Sequence, residues 1–280
     1  MTDNHAASTP TPAEAQEFRG RYGPWAVIAG ASEGMGVEYA RLLAQRGVHC
    51  VLVARNQQAL EQLAAALRRE FAVDARVVAL DLTRPDATSV LASQTADLEV
   101  GLYISNAGAD SHGQRFLDLP IDEWLKLLQR NTVALMSACH HFGGAMRRRG
   151  RGGMILMSSG AGLGGGPRIA VYSSTKAFEI AFAESLWAEL GSAGVDVLGV
   201  VTPPTNTPAM QRLLARRGLQ GPSLYEPHEV ATAAVRALPN GPTYLFPLGD
   251  VTAEMATALA QQRRDRVAMV ARGSAAFFGD

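Results

Sequence analysis

The chain has 280 residues, 47% of them hydrophobic, so a single sizeable core is within reach and no second domain is required. Its 26 basic and 26 acidic residues cancel, which argues against a nucleic-acid or anionic-membrane partner and leaves a small molecule as the expected ligand. No stretch approaches the ~20 apolar residues of a membrane span, residues 1–12 lack the order of a secretory signal, and the two cysteines, Cys50 and Cys139, are too few for a disulfide framework, so a cytoplasmic protein with buried free thiols is expected.

Residues 1–20 are rich in Ala, Thr, Pro and Glu with hardly a large apolar side chain before Phe18, which predicts a flexible leader. From Trp25 onward short β-branched runs predict strands at 25–29, 48–53, 76–80, 100–105, 154–157, 195–201 and 243–246. Between them, apolar residues at three- and four-residue spacing predict helices at 34–46, 57–71, 85–95, 121–149, 169–191 and 227–238. Alternation of this kind, with strands apolar on both faces, implies an α/β Rossmann-type fold: one doubly wound, seven-stranded parallel sheet over 21–250 with helices on both faces. A substrate loop is expected at about 205–225, and 251–280 reads as a C-terminal helix and tail ending near Phe277.

The first strand runs into Gly30-Ala31-Ser32-Glu33-Gly34-Met35-Gly36 and then a helix. Glycines at this junction let the chain turn sharply and bring backbone N–H groups to a pyrophosphate at a helix N-terminus, so Gly30, Ser32, Glu33, Gly34, Met35 and Gly36 are candidate cofactor contacts. The second strand ends in Ala54-Arg55, where an acidic residue would bind a ribose 2′-hydroxyl and a guanidinium accommodates a 2′-phosphate. Arg55 therefore favours NADP over NAD, although it also reads as an ordinary solvated loop residue. Glu33 would be an unfavourable charge beside a phosphate if it pointed inward.

From here the residues resemble the short-chain dehydrogenases/reductases, over residues 22 to about 210. Asp81-Leu82 looks like that family's adenine contact, and Ser105-Asn106-Ala107-Gly108 like its NNAG turn. Asn131 matches its active-site asparagine, Ser159 its serine, Tyr172 and Lys176 its YxxxK pair, and Pro203-Pro204-Thr205-Asn206-Thr207 the element that closes over the nicotinamide. Ala29, Ser105 and Pro204 depart from the usual Thr, Asn and Gly, and these departures touch cofactor seating more than chemistry. Arg21-Tyr22-Gly23-Pro24-Trp25, with Ser32 to Gly36, also resembles bacterial NADP-dependent 7β-hydroxysteroid dehydrogenases.

Hydride transfer to a carbonyl leaves an alkoxide that must be protonated, and Tyr172 is the expected acid. A free phenol titrates near ~10, so a cation is needed nearby, and Lys176, four residues on, shares its helix face. Ser159 would hold the substrate oxygen. By resemblance, Lys176 also binds the nicotinamide ribose and Asn131 holds a water that relays protons from it. Taken singly, the tyrosine reads as a packing residue, the lysine as solvated and the serine as a local cap, but their joint occurrence after a dinucleotide loop favours catalysis.

The expectation is thus an NADP(H)-dependent oxidoreductase interconverting a secondary alcohol and a ketone or aldehyde. The alternatives are a non-catalytic cofactor-binding regulator or scaffold, which would have degraded catalytic positions, and a redox-neutral dehalogenase, which would carry arginine in place of Lys176. No metal is expected, since adjacent His140 and His141 face different directions on a helix. The Arg147-Arg148-Arg149-Gly150-Arg151 run suits a helix C-terminus rather than nucleic acid. Long apolar faces on helices 121–149 and 169–191, which in the family pack against a second subunit, imply a homodimer or homotetramer. Substrate walls are expected from 109–115, 161–168 and 205–225, with Gly164, Gly165 and Gly166 leaving room for a bulky substrate.

Overall fold

Seven apolar runs pair in parallel as β1 (Trp25–Ala29), β2 (His49–Ala54), β3 (Ala75–Ala79), β4 (Val100–Ser105), β5 (Gly152–Ser159), β6 (Val195–Thr202) and β7 (Thr243–Leu245). This computed structural model describes residues 10–110, 112–219 and 224–278. The strand order is β3-β2-β1-β4-β5-β6-β7, so the chain reverses direction across the sheet between β1 and β4 and opens a crevice at their carboxyl ends. The doubly wound fold expected from the sequence is the one observed, and its strand ends shift by at most two residues. β5 extends furthest beyond expectation, because Gly152 and Gly153 pair with β6 although they carry no apolar side chain.

Helices cover both faces, and each buries an apolar stripe against the sheet. On one face lie α2 (Met35–Ala44), α3 (Gln57–Phe71) and α9 (Pro227–Ala237), where Leu43, Leu60, Leu67 and Val230 meet Ile28, Leu52 and Ile104. On the other lie α4 (Ala87–Gln94), α6 (Ala134–Arg149) and α7 (Ala170–Leu190), where Leu91, Leu135, Phe142 and Ala183 meet Val27, Val51 and Met154.

Three expectations need correction. The leader is helical from residue 12 onward rather than irregular: α1 (Pro12–Tyr22) starts with Thr11 and Glu14 in a reciprocal capping box and with Pro12 in the first turn. Phe18 packs on the core, Tyr22 is buried, and the Tyr22 hydroxyl donates to Asp196 at 2.6 Å. The expectation for residues 1–9 lies outside the described residues. The helix expected at 121–149 is divided into α5 (Ile121–Leu128), a π-helical turn (Gln129–Val133) and α6, and Asn131 lies in that wider turn. Finally, the loop expected at 205–225 contains α8 (Pro208–Arg217), capped by Thr207, whose hydroxyl accepts from Met210 N at 3.2 Å.

The C-terminal helix, α10 (Ala253–Phe278), is anchored where Arg263 pairs with Glu184 of α7 at 2.5 Å. Among the described residues no helix is long and apolar enough to cross a membrane, and no His, Cys, Asp and Glu group could hold a metal ion. Cys50 and Cys139 are both buried free thiols.

Candidate active site

A cleft of about 380 Å³ opens at the carboxyl ends of β4, β5 and β6. Ser159, Tyr172 and Lys176 line it together with Met35, Asn106, Gly108, Pro203, Thr205 and Thr207. These residues are far apart in sequence, and the parallel sheet brings them to one edge. Ser159 ends β5, and its hydroxyl accepts from Ala161 N at 3.2 Å, which leaves its proton to donate into the cleft. Ser158 points the other way, donating to the Lys176 carbonyl at 2.7 Å and so tying β5 to α7.

Tyr172 and Lys176 stand one turn apart on α7, with Lys176 Nζ 5.7 Å from the Tyr172 ring centroid. The Lys176 ammonium donates to the Met157 carbonyl at 2.7 Å and to both oxygens of Glu179 at 3.0 and 2.9 Å. Glu179 is buried, and burial pushes its carboxyl up to about 7 against the opposing pull of Lys176. Asn131 is fully buried; its Nδ2 donates to Thr175 Oγ1 at 3.0 Å and to the Gly108 carbonyl at 3.3 Å. A Cβ on Gly108 would lie 2.8 Å from Lys176 Nζ and 3.4 Å from Asn131 Oδ1, so both groups converge on the turn after β4 and a larger residue there would displace the lysine head.

The remaining candidates lie at the ends of β1, β2, β3 and β4, beside the cleft rather than in its wall. Gly30 and Gly34 adopt positive φ angles of 85° and 57°, and a side chain at Gly36 would collide with the Gly30 carbonyl. A Cβ on Gly30 would meet Ala107 N at 2.8 Å. Asn106 Nδ2 donates to the Gly30 carbonyl at 2.9 Å, while Asn106 Oδ1 is buried without a partner among the described residues. The backbone cradle and the orphaned acceptor fit a dinucleotide at this switch point. Ser32 is half-buried in the loop. The Glu33 carboxylate does not stand open beside the loop, because Arg212 of α8 pairs with it at 3.0 and 2.5 Å.

Arg55 and Asp81 stand close enough to interact. Burial pushes the Asp81 carboxyl up, but hydrogen bonds from the Thr83 backbone and hydroxyl, with the charges of Arg55 and Arg130, leave it below the usual range. Leu82 packs on the core beneath. Of the expected substrate walls, 109–115 contributes Ala109, Asp110 and Gly113, and 205–225 contributes Ala209, Met210 and Leu213. The middle wall does not follow expectation: Gly164 and Gly165 stand open to solvent and only Ala161 of that segment lines the cleft. Phe277 is exposed near the end of α10 and does not line it.

Two residues escaped the sequence reading. Arg130 donates through Nε to Asn131 Oδ1 at 3.2 Å and through its guanidinium to the Ala109 carbonyl at 2.5 Å. Glu179 holds the lysine. Their signals were present: a charge directly before Asn131, and a carboxylate seven residues beyond Tyr172 on the buried face of α7.

The family model for short chain dehydrogenases matches residues 24–218. The chain is 32% identical over 182 residues to a very-long-chain 3-oxoacyl-CoA reductase of Macaca fascicularis, covering 64% of this chain and 58% of that protein. It is 30% identical over 225 residues to a 7β-hydroxysteroid dehydrogenase of Mediterraneibacter gnavus, covering 79% and 85%. A short-chain dehydrogenase from Sphingobium yanoikuyae, solved in complex with NADPH, superposes with a TM-score of 0.75 at 28% identity, covering 88% of this chain and 95% of that one.

Proposed function

The chain belongs to the short-chain dehydrogenases/reductases, oxidoreductases that interconvert alcohols and carbonyls with a nicotinamide dinucleotide, and we propose that within this family it is an NADP(H)-dependent reductase of bulky ketones. The observation that carries the reading is the convergence of Ser159, Tyr172 and Lys176 on one cleft beside the glycine cradle. A regulator that had lost turnover would not need this set intact.

Gly30, Gly34, Met35 and Gly36 would seat the pyrophosphate, Asp81 and Leu82 the adenine, Asn106, Ala107 and Gly108 the ribose side, and Pro203, Thr205 and Thr207 the nicotinamide. Arg55 would face the 2′-phosphate, with Ser32 adding a hydroxyl, and the NADPH complex of the Sphingobium relative supports this preference over NAD. When bound, the reduced nicotinamide supplies the hydride.

The protein's own groups manage the oxygen. Ser159 donates a hydrogen bond to the substrate carbonyl, so charge that develops there meets a donor already in place. Tyr172 delivers its proton to the same oxygen, and Lys176 favours the phenolate this leaves behind. Lys176 would also bind the nicotinamide ribose. Asn131, which converges with Lys176 on Gly108, would hold the water of a relay that links Lys176 to solvent.

Steroid and long-chain acyl relatives, with apolar Ala209, Met210 and Leu213 on one wall, support a bulky substrate. Members of the family are commonly oligomeric, and a homodimer or homotetramer would cover the apolar face on α5 and α7. Two buried free thiols suit the reducing cytoplasm.

The test is NADPH oxidation over a panel of ketones. Multi-ring and long-chain ketones should be turned over, and Tyr172→Phe should reduce the rate by about 100-fold or more while NADPH still binds, as read by fluorescence titration. An undiminished rate in that variant would refute the assignment.

A further inference from the structure

We propose that Glu179 is a positioning residue of this site: its carboxylate anchors the Lys176 ammonium beside Tyr172 and offsets its charge, which favours the protonated phenol that reduction of a ketone consumes. The inference rests on the reading of Tyr172 as proton donor.

Tyr172, Lys176 and Glu179 occupy positions i, i+4 and i+7 of α7 and therefore share one face. Lys176 Nζ lies 5.7 Å from the Tyr172 ring centroid and within 3.0 Å of both Glu179 oxygens. Glu179 is 1% exposed, and among the described residues Lys176 is its only hydrogen-bond donor. A carboxylate this deep is costly to bury, and an apolar side chain would fill the position between α7 and the sheet at lower cost. Among the described residues its hydrogen bonds go to the lysine alone, which in turn faces the tyrosine.

The charges around the phenol fix the sign. An ammonium beside a phenol favours the phenolate, and a carboxylate on that ammonium reduces the net field. Burial pushes the Glu179 carboxyl up to about 7 against the pull of the lysine, so its charge is in place in the alkaline range. From β4, Tyr103 faces the carboxylate, and from α6, Cys139 does; burial pushes both up, as does the charge of Glu179, and both stay neutral there. From the π-helical turn, Arg130 acts on Tyr172. Two cations, Lys176 and Arg130, thus stand near the tyrosine; Glu179 is the carboxylate bonded to Lys176, and Asp110, in the same cleft, acts on Arg130.

The test reads the Tyr172 phenolate by its near-ultraviolet absorbance in a pH titration of the full chain, with and without NADP, each background referenced to its own Tyr172→Phe variant. In Glu179→Gln and Glu179→Leu the phenolate should appear about one pH unit lower than in the wild type, and the pH profile of alcohol oxidation should move by the same amount. Glu179→Asp, which keeps the charge but withdraws it, should fall between. If Glu179→Gln and Glu179→Leu do not fold, the Asp variant carries the same expectation at smaller size. A midpoint that stays in place or moves to higher pH overturns the proposal. The absorbance needs no turnover, so an enzyme that consumes no NADPH would overturn the oxidoreductase reading separately.

Discussion

Arg212 grips the Glu33 carboxylate through both terminal guanidinium nitrogens, at 3.0 and 2.5 Å, and so ties the helix over the substrate side of the cleft to the glycine loop 179 residues earlier. Thr207 reinforces the junction: a Cβ on Gly34 would lie 2.9 Å from its methyl group, so the two segments touch. The pair is solvent-exposed, and its contribution is modest and screened by salt. Arg212→Ala is expected to raise the KM for NADPH about two- to fivefold with kcat nearly unchanged. Steady-state kinetics at low and high ionic strength check this, because high salt should raise the wild-type KM towards that of the variant; equal KM values at low salt would show that the pair does not shape the loop.

Arg55 gives a sharper prediction. A guanidinium facing a 2′-phosphate makes charge-assisted hydrogen bonds, which NADH, with a hydroxyl at that position, cannot use. Arg55→Ala should lower kcat/KM for NADPH by about ten- to a hundredfold and leave that for NADH nearly unchanged. Comparison of the two cofactors in wild type and variant measures it, and a parallel loss with both would place Arg55 outside the phosphate site.

The sheet and the grouping of the candidate residues at one cleft were legible because each rests on a local rule. β-Branched runs mark strands wherever both faces are buried, and Tyr172 and Lys176 are neighbours by helical period alone. What escaped depends on contacts distant in sequence. α1 carries almost no apolar face, and its order comes from a capping box together with Tyr22 reaching a strand 174 residues later. The π-helical turn inserts no residue type that would betray it, yet it buries Asn131 between Gly108 and Thr175. α8 is different: Thr207-Pro208 is an N-cap followed by proline at the first helical position, a signal present in the sequence and submerged by the expectation of a substrate loop. Glu179 looks like a surface charge until the fold turns its face inward.

The apolar face on α5 and α7 yields a prediction about assembly. Ile121, Leu125 and Leu128 of α5 and Met136 of α6 are all at least 41% exposed, and Leu128 and Met136 line, with Phe116 and Phe178, a shallow groove of about 510 Å³. A patch of this kind marks an interface in a soluble protein. Light scattering at micromolar concentration should show a dimer or tetramer, and Leu125→Glu should shift it towards monomer by placing a charge within the covered area. A wild-type protein that is monomeric under those conditions would refute the interface.

Tyr22 offers a test of stability with a defined pH sign. Its hydroxyl donates to Asp196 Oδ2 at 2.6 Å, and Arg21 donates to Oδ1 of the same carboxylate at 2.7 Å, so α1 is held to the start of β6. Tyr22→Phe leaves a partly buried carboxylate short of one donor and should cost about 1–3 kcal/mol, measured by chemical denaturation at neutral pH. Burial first, then the hydrogen bond and charge of Asp196, push the Tyr22 phenol well above its ordinary value of about 10. A group raised in the folded state contributes stability that is complete below its unfolded value and is lost as pH rises towards the folded one. The wild type should therefore lose stability above about pH 10, and Tyr22→Phe should make that alkaline decline shallower. Tyr39 and Tyr103, buried and shifted in the same direction, keep it from vanishing. An alkaline limb of unchanged steepness in the variant would mean that the Tyr22–Asp196 contact contributes nothing to the anchoring of α1.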